Sequence, residues 1–128
     1  MDLRLERMTQ SGFEIEPALV EGALKLKLKG TGDSEAVMPL TSTLAAVRAE
    51  MMRLDLRRFE LDVSSLYLLN SRCLKALVSF IYQVQTSSQQ QFKIQFLVTP
   101  RLSWQRRALA ALERMAPLLV SISDEASA

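Results

Sequence analysis

The chain has 128 residues, 48% of them hydrophobic and 23% charged, with a formal net charge of +2. That is the size and composition of one globular domain, and it excludes a disordered chain. The Lys and Arg residues are spread along the sequence with no run or aromatic-interleaved patch, so no nucleic-acid partner is expected. A single cysteine excludes an intrachain disulfide framework. The absence of histidine excludes Ser-His-Asp and Cys-His catalysis within the chain, together with any His-ligated metal site. The opening MDLRLERMTQ is charged throughout and lacks the apolar stretch of a signal peptide. No apolar run approaches the roughly 20 residues of a membrane span. A cytoplasmic protein without a membrane partner is the expectation.

In chain order, residues 1–12 are expected to be an N-terminal extension, 13–122 the folded domain and 123–128 a flexible tail. A short strand is predicted around Phe13 and Ile15, ended by Pro17. Residues Ala23 to Lys29 alternate, with Leu24, Leu26 and Leu28 on one face and Lys25, Lys27 and Lys29 on the other. This is the pattern of a half-buried strand, its lysines suited to a solvated face or to an edge that resists self-pairing. It is expected to pair with the Phe13 segment as an antiparallel hairpin. Gly30, Gly32 and Asp33 then read as a turn. Leu40, Leu44, Val47, Met51 and Leu54 follow at spacings of four, three, four and three, one apolar stripe of an amphipathic helix. Arg48, Glu50 and Arg53 are expected to turn away from the core, and Thr41, Ser42 and Thr43 are the candidate caps.

Phe59, Leu61 and Val63 predict the next strand, and Leu66 to Leu69 a short apolar link. A helix follows, burying Leu74, Leu77, Val78 and Ile81, with Phe80 and Val84 widening the face. Polar Ser87 to Gln91 reads as a loop. Phe92 to Val98 is strongly strand-like, and its apolar second half predicts a position covered on both faces. Ser103 is the expected N-cap of a helix carrying Trp104, Ala108, Leu112 and Met115 in line. Pro117 ends that helix, and Leu118 to Ile122 supplies a last strand. The order β-β-α-β-α-β-α-β predicts an α/β domain with a mixed sheet of four to five strands. Right-handed crossovers place the helices mainly on one side unless the strand order reverses.

Asp62, Ser64, Asn70 and Ser71 fall where a strand meets a helix N-terminus. There the orphan backbone N–H groups of the first turn favour a phosphate or carboxylate. Asn70 is a good N-cap and leaves Ser71 as the first helical residue, its hydroxyl expected to be exposed. A phosphate on Ser71 gains from the helix end and from Arg72. The plain alternative is that Asn70 and Ser71 only start a helix.

The pattern Asp62-x-Ser64-x-Leu66-x-Leu68-Leu69-Asn70-Ser71-x-x-Leu74 resembles the signature of STAS domains, the family of bacterial anti-sigma-factor antagonists. Their junction reads Asp-Leu-Ser, then an apolar alternation, then Asp-Ser-Ser-Gly-Leu. The predicted element order also matches that fold, so the resemblance runs from Phe13 to Ile122. The stretch from Trp104-Gln105-Arg106 to Ile122 looks like a sparsely described bacterial branch of STAS-like regulators.

The resemblance implies partner switching: an anti-sigma-factor-like serine kinase binds the unmodified antagonist and phosphorylates a hydroxyl at the helix start. A PP2C-type phosphatase reverses the modification. Asp62 then matches the strand-end aspartate, Asn70 the loop aspartate, Ser71 the first serine, Arg72 the second serine that is the usual acceptor, and Cys73 the glycine. Arginine accepts no phosphate in this chemistry, so Ser71 is the one hydroxyl of the motif that remains, one position and about 100° out of register. Cys73 puts a side chain where a partner would approach closely.

Asp62, Ser64, Asn70, Ser71, Arg72 and Cys73 are therefore the expected partner-binding junction, with Ser71 the candidate phosphorylation site. Arg101, Arg106 and Arg107 lie near one helix N-terminus, against its dipole, and form a candidate docking patch for acidic groups. Trp104 is expected in the core and Cys73 to be an inert helix residue. Asp62 has no second carboxylate, metal cluster or lysine partner in view, so it gives weak grounds for catalysis. The expected function is a non-enzymatic protein-interaction module in a bacterial stress-signalling or partner-switching pathway, with no cofactor and no metal. The alternatives are a small-ligand domain holding a nucleotide or lipid, which lacks a Gly-rich phosphate loop, and a self-associating scaffold subunit such as a homodimer.

Overall fold

The computed structural model describes residues 3–87 and 91–124. It contains β1 (Met8–Gln10), β2 (Phe13–Val20), β3 (Ala23–Gly32), a 3-10 turn (Ser34–Ala36), α1 (Val37–Arg53), β4 (Arg58–Leu69), α2 (Ser71–Thr86), β5 (Lys93–Val98), α3 (Ser103–Met115) and β6 (Val120–Asp124). The loop expected over Ser87 to Gln91 falls partly on residues 88–90, and the tail partly on 125–128, both outside the described residues.

The six strands lie in the sheet in the order of the chain. β1, β2 and β3 are antiparallel neighbours, while β3, β4, β5 and β6 run parallel. Because the parallel strands advance in one direction, right-handed crossovers put all three helices on the same face. The mixed sheet with one helical layer is thus as expected, but it has six strands rather than four or five. The extra strand is β1, whose three residues carry no alternation of their own. It is paired through Ser11 and Gly12, whose φ angles of 49° and 81° make the tight turn that suits strand twist.

The strand of Phe13 does not stop at Pro17, which pairs with Leu26 inside β2. β1 covers only Phe13 to Ile15, so β2 is an edge from Glu16 onward, where proline is tolerated.

The core lies between the sheet and the helices. Phe13, Ile15, Leu24, Leu26, Leu28, Phe59, Leu61 and Val63 are buried from the sheet side. Leu40, Leu44, Val47 and Met51 meet them from α1 as the stripe predicts, although Leu54 is only half-buried. Phe59 meets Phe80 and Phe92 edge-on, with ring centroids 5.6 and 6.3 Å away, near the favoured aromatic geometry.

Lysines 25, 27 and 29 occupy the solvated face of an internal strand, not an edge. There Lys29 pairs with Glu16 at 2.9 Å, and that hydrogen bond holds the Glu16 carboxyl below its ordinary value. β5 is not covered on both faces: its Gln95 and Leu97 lie half-buried on the helix-free face, beside Ser121 and Ser123 of β6.

The helices depart from the sequence expectations in several places: Ser103 is the first residue of α3 and not its cap, and Leu74 and Val78 of α2 are only half-buried. α1 begins at Val37 behind the 3-10 turn, where the Asp33 carboxylate accepts from the Glu35 N–H at 3.1 Å. Thr41 is no cap; its hydroxyl donates back to the Val37 carbonyl at 2.7 Å. Glu50 is buried rather than turned away. It accepts from Arg53 at 2.7 and 2.8 Å and from the Arg4 backbone N–H at 2.9 Å. α3 buries Gln105, Leu109 and Leu112; of the predicted Trp104–Ala108–Leu112–Met115 line only Leu112 is buried, and the other three are half-buried.

Candidate functional site

The junction between β4 and α2 is built on a strand with two irregularities. Lys27 pairs with Asp62 but Lys29 with Ser65, and Gly30 pairs with Leu66 but Thr31 with Leu68, so β4 carries one extra residue at each step. Such bulges interrupt the ladder, re-aim the following side chains and leave backbone groups in need of other partners. The Leu66–Leu69 segment is therefore strand, not link.

Asp62 and Ser64 close the first bulge. One Asp62 carboxylate oxygen accepts from the Ser64 backbone N–H at 2.9 Å and from its hydroxyl at 2.6 Å. The other faces the Lys25 ammonium at 3.8 Å. Both Asp62 and Ser64 are buried.

The carbonyls of the bulge are taken by a residue that hydrophobic patterning passes over. Gln105 of α3, fully buried, donates from its amide nitrogen to the Val63 carbonyl at 2.6 Å and the Leu66 carbonyl at 3.0 Å. Its amide oxygen accepts from the Thr99 N–H at 2.8 Å, pinning the end of β5 to the same point. A polar core residue gives no apolar signal. The one clue was its spacing to Leu109 and Leu112, which share its face.

At the second bulge, where Tyr67 is the extra residue, the chain turns outward. Tyr67 and Leu68 are 68% and 50% exposed, high for large apolar side chains at the end of an inner strand. Asn70 donates its N–H to the Gly32 carbonyl at 2.8 Å and caps α2, its side-chain oxygen accepting from the Cys73 N–H at 2.9 Å. Ser71 and Arg72 are exposed. Cys73 is buried, its Sγ 3.5 Å from the Asp33 carbonyl oxygen. Burial, and then the Asp33 charge, pushes its thiol pKa up, so the thiolate a reactive cysteine needs is disfavoured. The first turn of α2 thus sorts its residues: Asn70 and Cys73 hold the junction, and Ser71 and Arg72 face solvent.

Arg101, Arg106 and Arg107 lie after β5, at the same end of the parallel strands as the β4–α2 junction. They are not equivalent. Arg101 packs its N–H and guanidinium toward the Thr99 hydroxyl, Arg106 pairs with Asp124 at 2.8 Å, and Arg107 is exposed. Among the described residues no three His, Cys, Asp or Glu side chains are grouped to hold a metal ion. None of the described helices is long and apolar enough to cross a membrane.

No protein-family model matches the sequence, and no curated protein sequence matches it. Solved structures do. The crystal structure of an anti-sigma factor antagonist from Mycobacterium paratuberculosis superposes with a TM-score of 0.63 at 17% identity, covering 82% of this chain and 83% of that one. The NMR structure of the protein TM1081 superposes with a TM-score of 0.61 at 15% identity, covering 99% and 91%. The likeness is one of fold: this chain has the α/β architecture of an anti-sigma-factor antagonist at a sequence distance where nothing beyond the fold carries over.

Proposed function

We propose that this chain is a non-enzymatic protein-interaction module, anti-sigma-factor-antagonist-like, in a bacterial partner-switching pathway. One observation carries the reading: on this fold, residues 67–72 turn Tyr67, Leu68, Ser71 and Arg72 to solvent within six residues. Apolar side chains beside a fixed cation are what a protein interface uses as anchor and guide. In this reading Asp62, Ser64, Asn70 and Cys73 hold the junction in shape, and Ser71 and Arg72 meet the partner.

The partner is a serine kinase of the anti-sigma-factor type, a PP2C-type phosphatase, or both. Ser71, exposed at the first position of α2, is its phosphorylation site. A phosphate there gains the free N–H groups of the helix start and the Arg72 guanidinium. The Arg101, Arg106 and Arg107 corner adds a second docking point for acidic groups.

Affinity capture from the native cell, with the full-length protein as bait, tests the reading. The expected result is recovery of such a kinase or phosphatase, with Arg72→Glu and Ser71→Glu each weakening capture about ten-fold or more, the loss of a hot-spot contact. Undiminished capture by both variants removes the junction as the binding site. Phosphopeptide mapping with the captured kinase's gene present and absent tests the Ser71 assignment separately.

A further inference from the structure

We infer that the groove between α1 and α2 seats an acidic amphipathic helix of the partner protein. The inference rests on the reading of this chain as an interaction module but assigns a second surface, beyond the junction. Two depressions of about 310 and 140 Å³ lie between these helices and share Ala76 and Ser79, so they form one groove. Along α2 it runs from Arg72 to Gln83. At 1.5 Å per residue that is about 16 Å, the length of three helical turns. Leu44 and Phe80 form its floor, and Ala45, Ala76 and Ser79 line it with side chains small enough for a second helix to approach closely.

The charged side chains that line the groove, Arg72 and Lys75, have one sign, although Asp33 and Glu35 of the 3-10 turn adjoin its Val37 end. α2 carries Arg72 and Lys75 and no acidic residue. The single carboxylate of α1, Glu50, is buried and bound by Arg53. At the far end Arg48 reaches the Gln83 side chain at 3.3 Å. Arg72 and Lys75 at the head of an apolar floor, with Arg48 at its far end, select a helix with a small or apolar stripe bordered by Asp and Glu. A second copy of this chain does not fit, because α3 is basic too, with Arg106, Arg107 and Arg114 against Glu113.

Site-specific photocrosslinking in the native cell tests this. A benzophenone amino acid replaces Ser79 in one strain and Tyr67 in another, and the crosslinked peptides are sequenced. The expected product at Ser79 is a peptide of another protein in which Asp and Glu border an i, i+3, i+4 apolar stripe. Lys75→Glu and the groove-filling Ser79→Trp should each weaken binding of that purified partner at least ten-fold while leaving the urea midpoint of the free domain unchanged.

A protein crosslinked from Tyr67 but none from Ser79 overturns the groove and keeps the module reading. No protein product at either position overturns both. A crosslink from Ser79 to a second copy of this chain, to lipid or to RNA also overturns the acidic helix.

Discussion

Replacing Gln105 with leucine isolates the hydrogen bonds that hold the β4 bulge, because the two side chains are similar in volume and no large cavity forms. The substitution strips a partner from three buried backbone groups: the carbonyls of Val63 and Leu66 and the N–H of Thr99. Each such group left unsatisfied costs about 1–3 kcal/mol, and the buried leucine side chain returns about 1.5–3 kcal/mol. At mid-range the three groups cost about 6 kcal/mol and the leucine returns about 2 kcal/mol, a net loss of about 4 kcal/mol and a large share of the stability of a domain this size. With a urea slope of about 2 kcal/mol per molar, the midpoint should fall by about 2 M. A loss below about 1 kcal/mol at unchanged slope would refute the assignment of Gln105 as the partner of these groups.

Gln105→Glu adds a second reading of the same geometry. The carboxylate has no N–H to give and turns an oxygen toward the Val63 and Leu66 carbonyls, so burial and repulsion favour its protonated form. Its folded pKa then lies above its unfolded one. Stability is retained below the unfolded value of about 4.3 and lost as pH rises through the folded value. Urea midpoints should therefore place Gln105→Glu nearest the parent protein at acid pH and furthest from it at neutral pH; the opposite order contradicts the geometry.

Glu50 should behave in the reverse sense. The Arg53 hydrogen bond, joined by the Arg4 N–H and outweighing burial, holds its carboxyl at about 2 instead of 4.5. A lowered folded pKa gives stability that is present above about 4.5 and lost as pH falls toward 2. Glu50→Gln should cost about 1.5–3 kcal/mol near neutral pH, with the gap closing on acidification; a gap that persists in thermal melts at pH 2 contradicts the ion-pair account. Gly30 (φ +89°) leaves no room for a side chain, since a Cβ there would lie 1.9 Å from the Gly12 carbonyl oxygen, whereas Gly12 (φ +81°) faces open space. Gly30→Ala should cost about 3 kcal/mol or more and Gly12→Ala about 1–2 kcal/mol, and equal urea midpoints for the two would show that the β1 turn does not press on β3.

Much of the fold was legible because its period was clean. The alternation of Leu24, Leu26 and Leu28 with three lysines, and the stripe from Leu40 to Met51, each report a single face. The failures have physical causes. Two extra residues break the period of β4, so Leu66 to Leu69 looked like a link although Leu68 and Leu69 pair with Thr31 and Gly32. β1 is too short to alternate, and only the turn at Ser11 and Gly12 marks it. Gln105 and Glu50 are core residues whose polarity hides them, because hydrogen bonding and not apolar area justifies their burial. At the site, Asn70 was readable as a cap from residue type alone. That Cys73 points in while Ser71 and Arg72 point out required the helix phase.

The proposed surfaces also explain how a switch with a displaced acceptor would operate. On the proposed reading, Arg72 occupies the position where the resemblance expects the modified serine, and its permanent charge would favour an acidic partner in every state of the cell. Regulation in that proposal would come from a neighbour. Ser71 and Lys75 are four residues apart on α2, hence on adjoining turns of one face, and Ser71 directly precedes Arg72. A phosphate of about −1.5 to −2 on Ser71 would meet both cations at the head of the groove and satisfy them within the chain. An acidic helix would lose two of its attractive charges and gain a repulsive one. Phosphorylation one position out of register would thus still release the partner, by neutralising the surface that holds it rather than by blocking the residue that touches it.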